Sequence, residues 1–315
     1  MGNLDRVFRT YFGGAAGLAL AAMPVPDGLT EARLRCLRPL TIRAGGRGLF
    51  VRRDGSLTPD ADAALIVSPD DIRSAVELMS EYSPYAFEEQ LRGGYITLPG
   101  GHRAGFCGQA AVADGHMTGL RHIASVALRI ARELPGCASR LLRHIGGPPA
   151  HTLIISPPGG GKTTMLRDIA RRLSEKYNVA IADERGEIAG CHRGVPCLDV
   201  GRSSDVLCGC PKYEAMPILL RAMSPDVIVA DEIGGERDAA AVFDIINAGV
   251  TVIAAAHGSD IENAGKRAGL SGLIGQAVFK VIALLGGADR PGRISAVFIR
   301  DGGVYVPAET ERAYG

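Results

Sequence analysis

Ile154-Ile155-Ser156-Pro157-Pro158-Gly159-Gly160-Gly161-Lys162-Thr163-Thr164 decides the fold of this chain. An apolar run ends in a Gly-rich turn, and Lys-Thr-Thr opens a helix. That layout of strand, loop and helix is a P-loop, the backbone cradle for a nucleotide's phosphates. Gly159, Gly160 and Gly161 bring backbone N–H groups close to phosphate oxygens, because no Cβ stands in the way. The Lys162 ammonium reaches the β- and γ-phosphates, and the Thr163 hydroxyl sits on Mg²⁺. The helix points its positive end at the anion. One position departs from the full motif, which has Gly where this chain has Ser156. Ser156 serves if its φ is negative, and Pro157-Pro158 stiffens the arch.

A second element belongs to the same site. Asp226-Val227-Ile228-Val229-Ala230-Asp231-Glu232 is an apolar run that ends in two carboxylates. A parallel strand buried on both faces reads as such a continuous run. Alone it would be a core strand with solvated acids at its tip. Downstream of a P-loop, it makes Asp231 the candidate Mg²⁺ residue and Glu232 the residue that polarises the attacking water.

Two more strand ends offer chemistry, since nucleotide sites in open α/β sheets lie at the carboxyl ends of strands. Val179 to Ala182 leads into Asp183-Glu184-Arg185-Gly186-Glu187, whose acids could face the γ-phosphate. Glu184 is the second candidate for orienting water. Val250 to Ala256 leads into His257-Gly258. A lone histidine is more often structural, but its place beside the P-loop offers a γ-phosphate-sensing role.

The 315 residues suggest two domains, and a hydrophobic content of 46% supports a sizeable core. Net charge is +1, so there is no global electrostatic case for nucleic acid or an anionic membrane. Seven cysteines, an odd number, fit a reducing compartment. The apolar stretch from Gly13 to Pro26 resembles a signal core. It is short and Gly-rich and lacks a clear cleavage site, so a surface-packed Ala-rich helix or a partner-binding segment is expected. No run reaches the ~18 apolar residues of a membrane span.

Short strands are expected within residues 29–58 and at Tyr95 to Leu98, Ala104 to Val112 and Ile123 to Leu134. Helices are expected at Pro69 to Tyr82 and Phe87 to Leu91. Together they outline an α+β domain over residues 1–136. After a linker helix, Cys137 to Ile145, strands alternate with helices through residues 137–315. That alternation implies an α/β domain built on a mostly parallel sheet with helices on both faces. Arg293 to Val306 reads as a hairpin around Asp301-Gly302-Gly303. Cys191, Cys197, Cys208 and Cys210 are spaced C-x5-C and C-x-C, which does not match the paired C-x2-C units of a zinc ribbon, so no metal site is expected there.

Nearly end to end, the sequence resembles the stage III sporulation protein AA family of endospore-forming bacteria. In the first domain the resemblance lies in Leu34-Arg35 through Arg38-Pro39-Leu40, Gly94-Tyr95-Ile96-Thr97-Leu98-Pro99-Gly100-Gly101-His102-Arg103 and Arg129-Ile130-Ala131-Arg132-Glu133. In the second it lies in Asp183-Glu184-Arg185 to Gly190-Cys191, Gly209-Cys210-Pro211-Lys212, Met223-Ser224-Pro225-Asp226 and Asp231-Glu232-Ile233-Gly234-Gly235. The resemblance implies an ATPase similar to those of type II and type IV secretion systems, with a RecA-like P-loop core. Its Walker A motif would be Gly159 to Thr163, its acidic box Asp183 to Glu187, its Walker B motif Asp231-Glu232 and its His box His257. It further implies ATP and Mg²⁺ as ligands and a homo-oligomer, with a hexameric ring as one form. The expected place is the mother-cell cytoplasm, peripheral to the membrane. There it would power or gate a channel complex between mother cell and forespore, with membrane proteins of that assembly as partners and its only tie to the membrane. Nucleic acid is not an expected partner.

Hydrolysis at P-loop sites commonly needs an added arginine. In a ring it could come from a neighbour's first domain. Arg103, after a Gly-Gly turn, and Arg129 or Arg132 are the candidates, although each alone would ordinarily be a solvated surface residue. Two other classes compete with this reading. A nucleic-acid-stimulated RecA-like motor would show a basic and aromatic stripe, which is absent from the sequence pattern. A nucleotide-gated assembly scaffold with negligible turnover would not need the Asp231-Glu232 pair.

Overall fold

The computed structural model describes residues 4–83, 94–131, 133–287 and 291–310. They form two compact units that divide between Ala131 and Arg132, where the sequence suggested a boundary after Gly136. The first unit has helices α1 (Leu4–Tyr11), α2 (Gly14–Ala22) and α3 (Pro69–Met79). Its strands are β1 (Leu29–Arg35), β2 (Thr41–Ala44), β3 (Arg47–Val51), β4 (Leu57–Thr58), β5 (Tyr95–Leu98), β6 (His102–Ala113) and β7 (His116–Arg129). The sheet is antiparallel, in the order β4-β3-β2-β1-β7-β6-β5.

Alternation decides what each face of this sheet carries. Ala32 and Leu34, Ile96 and Leu98, Ala104 and Phe106, and Val126 and Leu128 form one core with Phe8, Leu20, Ile72 and Met79 of the helices. The small-residue segment from Gly13 is thus a helix, with Ala16, Ala19 and Leu20 fully buried and Leu18 exposed. Helix α3 stops at Met79 rather than Tyr82, because the backbone turns left-handed at Glu81 and Tyr82. The helix expected at Phe87 to Leu91 lies outside the described residues.

The second unit holds β8 (Thr152–Ser156), β9 (Val179–Asp183), β10 (Ser204–Cys208), β11 (Val227–Ala230), β12 (Thr251–His257), β13 (Val281–Leu285), β14 (Ile294–Asp301) and β15 (Val304–Thr310). Its helices are α4 (Ser139–Ile145), α5 (Lys162–Leu173), α6 (Lys212–Met223), α7 (Glu236–Asn247), α8 (Ile261–Gly265) and α9 (Ala268–Gly275). The sheet order is β10-β9-β11-β12-β8-β13-β14-β15. Strands β10 through β13 run parallel, and β14 and β15 close the edge as an antiparallel hairpin. Ile154, Ile181 and Val229 meet α4 and α5 on one face, while Ile155, Ala182 and Ile228 meet α6, α7 and α9 on the other. The sequence reading missed β10, β13, α8 and α9. Among the described residues, no helix is long and apolar enough to cross a membrane.

One buried carboxylate ties two helix starts together in the first unit. Asp71 is 2% exposed. It accepts from the Ser68 N–H (2.8 Å) and hydroxyl (2.7 Å) at the start of α3 and from the Ala16 N–H (3.0 Å) at the start of α2. Asp71→Ala leaves these donors without their acceptor. We expect it to lower the unfolding free energy by about 2–4 kcal/mol, read from urea or thermal midpoints. A loss below about 0.5 kcal/mol would show that water replaces the carboxylate there.

Candidate active site

The P-loop joins β8 to α5. Ser156, the last residue of β8, is fully buried and is not among the residues with positive φ, so the condition for its replacing Gly holds. Its hydroxyl donates to the Pro157 carbonyl (2.9 Å). Gly161, the residue before α5, has φ +92°, and a Cβ there would meet the Gly292 nitrogen at 2.5 Å. Only glycine fits that conformation and that contact. Helix α5 then starts at Lys162, with Thr163 and Thr164 in its first turn.

Strand order decides what surrounds Lys162. Strand β12 lies between β8 and β11, and His257 pairs with Ser156. His257 thus stands between the P-loop and the end of the β11 strand. Lys162 is 8% exposed. Its Nζ lies 2.8 Å from His257 Nδ1, and His257 Nε2 lies 3.0 Å from Glu232 Oε2. An ammonium only donates, so Nδ1 accepts; the remaining ring proton then sits on Nε2 and is donated to Glu232. His257 therefore bridges Lys162 to Glu232. Burial pushes the Lys162 pKa down. The charges of Glu232, Asp231 and Glu187 oppose that shift, and Arg267 adds to it.

Asp231 is 6% exposed and accepts from the Glu232 N–H at 2.8 Å. Burial raises its pKa above the ordinary 3.8, Glu187 and Asp183 raise it further by repulsion, and Lys212 opposes them. A buried carboxylate repelled by two others suits a hard divalent cation with oxygen ligands and water.

The acidic segment after β9 sends its carboxylates to separate places. Asp183 is fully buried and accepts from the N–H groups of Glu187 (2.9 Å), Ile188 (3.2 Å) and Ala189 (2.9 Å), so it shapes its own loop. Arg167 of α5 holds the same loop from outside, donating to the carbonyls of Ile188 (2.5 Å) and Glu187 (2.7 Å). Glu184 is ion-paired with Lys212 at the start of α6. Glu187 is the acid of this segment whose charge acts on both Lys162 and Asp231.

Three cations, Arg167, Lys212 and Arg267, were not singled out from sequence. Lys212 did leave a signal, because it stands at the start of the helix expected there, where the dipole disfavours positive charge. Arg103 and Arg129 lie in the first unit, opposite each other on β6 and β7. With Arg33, Arg35 and Tyr95 they line a cavity of about 380 Å³ on the sheet face away from the helices. The Arg103 guanidinium lies 3.9 Å over the Tyr95 ring. Arg129 and Arg33 share Glu31. Arg132 lies outside the described residues. The seven cysteines are free thiols, and burial, with Cys208 beside it, pushes the Cys191 thiol above the ordinary range. Among the described residues there is no group of three His, Cys, Asp or Glu side chains that could hold a metal ion.

The sheet order and the loop geometry define the class: a RecA-like P-loop core preceded by an α+β unit. Solved structures agree on the fold. The pilus retraction motor PilT with bound ADP superposes with a TM-score of 0.55 at 17% identity, covering 89% of this chain and 78% of that one. The ATPase DotB of Legionella pneumophila superposes with a TM-score of 0.52 at 15% identity, covering 87% and 78%. Residues 14–305 match the family described as sporulation stage III, protein AA, and the chain belongs to that family. Stage III sporulation protein AA of Bacillus subtilis is 40% identical over 91% of this chain and 92% of its own length. The uncharacterized protein ycf45 of Cyanidium caldarium is 33% identical over 49% of this chain and 47% of its own.

The charge on Asp231 gives this site a stability cost that pH can reveal. The folded pKa is raised, so the folded chain binds the Asp231 proton more tightly than the unfolded chain does. The ionised form therefore costs stability above the folded pKa, and the cost is gone below the ordinary 3.8. Asp231→Asn should melt at a higher temperature than the parent at pH 7 without nucleotide, with the gain shrinking as pH falls through the acid range. A lower melting temperature at pH 7 would mean that the bond to the Glu232 N–H outweighs the burial of charge.

Proposed function

We propose that this chain is an Mg²⁺-dependent ATP hydrolase. The observation that carries the proposal is the Lys162–His257–Glu232 bridge beside the buried Asp231. Lys162 binds the β/γ-phosphates after leaving His257. Thr163 and Asp231 hold Mg²⁺, which supplies charge neutralisation on the phosphates when bound. Glu232 orients the attacking water, and His257 positions Glu232 through Nε2. Because His257 holds both partners, phosphate binding to Lys162 is linked to the setting of Glu232. Glu184 is less suited to orient water, since Lys212 engages it.

In this reading the ATPase acts as a homo-oligomeric ring on the mother-cell side of the membrane. It powers or gates a channel complex between mother cell and forespore, and membrane proteins of that complex bind it. Family membership and a fold shared with the pilus retraction motor PilT and the ATPase DotB support this assignment. Arg103 and Arg129 add positive charge to the phosphate site of a second copy of this chain. Their support is that they share one basic cavity with Arg33 and Arg35.

Lys162→Ala should abolish hydrolysis and weaken nucleotide binding. Glu232→Gln should keep ATP bound while kcat falls by about 10²–10⁴. A Glu232→Gln protein with unchanged turnover would move the water-orienting role elsewhere. The ring reading has a separate test. Specific activity should rise with protein concentration. Chains carrying Arg103→Ala and Arg129→Ala together should regain partial activity when mixed with Lys162→Ala chains. Activity that is independent of concentration, with no restoration on mixing, would sink the contribution from a second copy.

A further inference from the structure

Two cysteines that the candidate site does not use meet beside the acidic loop. Cys208 is the last residue of β10, the edge strand of the second sheet, and it pairs with Asp183 of β9. Alternation along β10 puts Cys208 on the same face as Val206 and Leu207 on the other. Val206 packs against the core beneath α4 and α5, and Cys191 packs against that same core. Leu207 and Cys210 pack against the core of the opposite face. The loop after β9 folds back so that Cys191 reaches this place. The Asp183 carboxylate accepts from the Ala189 N–H at 2.9 Å, and the Asp183 carbonyl accepts from the Gly209 N–H at 3.3 Å. Asp183 thus holds both stretches of chain, one just before Cys191 and the other just after Cys208.

The two thiols are in direct contact, since Cys191 and Cys208 share a hydrogen bond. The neighbouring thiols are engaged elsewhere. Cys197 donates to the Val195 carbonyl and Cys210 to the Pro211 carbonyl, each at 3.6 Å. A disulfide needs Cβ atoms about 3.5–4.5 Å apart, so side chains that already touch need little further approach. Burial pushes the Cys191 thiol above its ordinary range, which makes it a poor attacking group. Cys208, half-buried on the edge strand, is the thiol that an oxidant meets first.

We propose that Cys191 and Cys208 are a dithiol that a peroxide oxidises to a disulfide, and that this bond is a reversible staple on the acidic loop. The Cys208 thiolate attacks one peroxide oxygen, the O–O bond breaks and hydroxide departs, leaving a Cys208 sulfenic acid. The Cys191 sulfur then attacks the Cys208 sulfur, the S–S bond forms and hydroxide departs again. The two thiol protons turn the two hydroxides into water, so two sulfurs are oxidised as one peroxide is reduced. A thiol reductant reverses the bond by exchange. The loop that carries Glu184 and Glu187 is then tied to β10 at its exit, as Asp183 already holds it at its start. This inference needs only the fold of that loop and is independent of the ATPase reading.

The test uses the full-length protein, hydrogen peroxide in small molar excess, thiol titration and peptide mapping without reduction. Free thiols should fall by two from seven. Trypsin separates the candidates, because Arg193 lies between Cys191 and Cys197, and Arg202 between Cys197 and Cys208. The linked pair should be residues 186–193 with residues 203–212, and dithiothreitol should release it. Cys191→Ser and Cys208→Ser should each abolish the link. Cys210→Ser, which leaves Cys208 as the sole thiol of the second peptide, should keep it. Closing this short loop should raise the melting temperature by about 5–10 °C. That gain should be absent from Cys208→Ser, whose parent-like melting before oxidation reports that it is folded. Peroxide that oxidises the exposed Cys107 while Cys191 and Cys208 stay free would overturn the proposal. So would a link from Cys191 to Cys197 or Cys210. A link that leaves the melting temperature unchanged would overturn its role as a staple.

Discussion

The site depends on the interposition of β12 between β8 and β11. Neighbouring strands are spaced about 4.8 Å apart, so the P-loop strand and the strand ending at Asp231 are separated by about 10 Å. A lysine at the start of α5 and a glutamate after β11 are therefore held apart by backbone geometry before any side chain is chosen. An imidazole at the end of the strand between them spans the gap, with one ring nitrogen for each partner. A carboxylate in place of His257 would hold Lys162 but repel Glu232, and an aliphatic residue would hold neither. The sheet order thus makes the occupant of position 257 a link between Lys162 and Glu232.

Around that link the charges are arranged against the protein's own stability. Helices favour acids at their starts by about 0.3–1 kcal/mol each, and α7 obeys with Glu236 and Asp238. Helices α5 and α9 do the opposite, with Lys162 and Arg267 at their starts and no acid in the first turn, and α6 starts at Lys212 with Glu214 in its first turn. Beside these cations lie the buried carboxylates Asp183 and Asp231, with Glu184 and Glu187 nearby. Glu184 and Lys212 form a direct pair, while Lys162 rests on the His257 ring. In the proposed function, a nucleotide with a divalent cation would have the charge distribution that satisfies both sets at once.

The sequence made the parallel core legible because strands buried on both faces write continuous apolar runs, and the P-loop and Asp231-Glu232 terminate two of them. It concealed β10, whose residues Ser204 to Cys208 sit at a half-buried edge and lack such a run. It concealed α8 and α9 because their glycines and short lengths blur helical periodicity. Ser156, Lys162, Asp231, Glu232 and His257 could be named from motif and position. What could not be read was which acid after β9 faces the site, since that depends on Asp183 folding back on the N–H groups of its own loop. The partners of Arg167 and Lys212 are likewise tertiary facts. In the first unit, alternating strands revealed the sheet, yet the gathering of Arg33, Arg35, Arg103 and Arg129 on one face follows from register between β1, β6 and β7.

The departure at Ser156 is consistent with the rest of the loop once packing is considered. A Cβ on Gly160 would lie 2.1 Å from the Ser156 hydroxyl and 2.4 Å from the Gly286 carbonyl oxygen. The serine therefore fills space that a residue larger than glycine at position 160 would need. On the other side of the loop, Gly292 donates to the Gly160 carbonyl at 2.8 Å, and Gly161 has no room for a Cβ against Gly292. The P-loop is gripped between its own strand and the segment that joins β13 to β14. A loop held on both sides before phosphate arrives has less conformational freedom to lose on binding. The antiparallel edge of the sheet, which carries none of the acids or cations of the site, thereby contributes to its preorganisation.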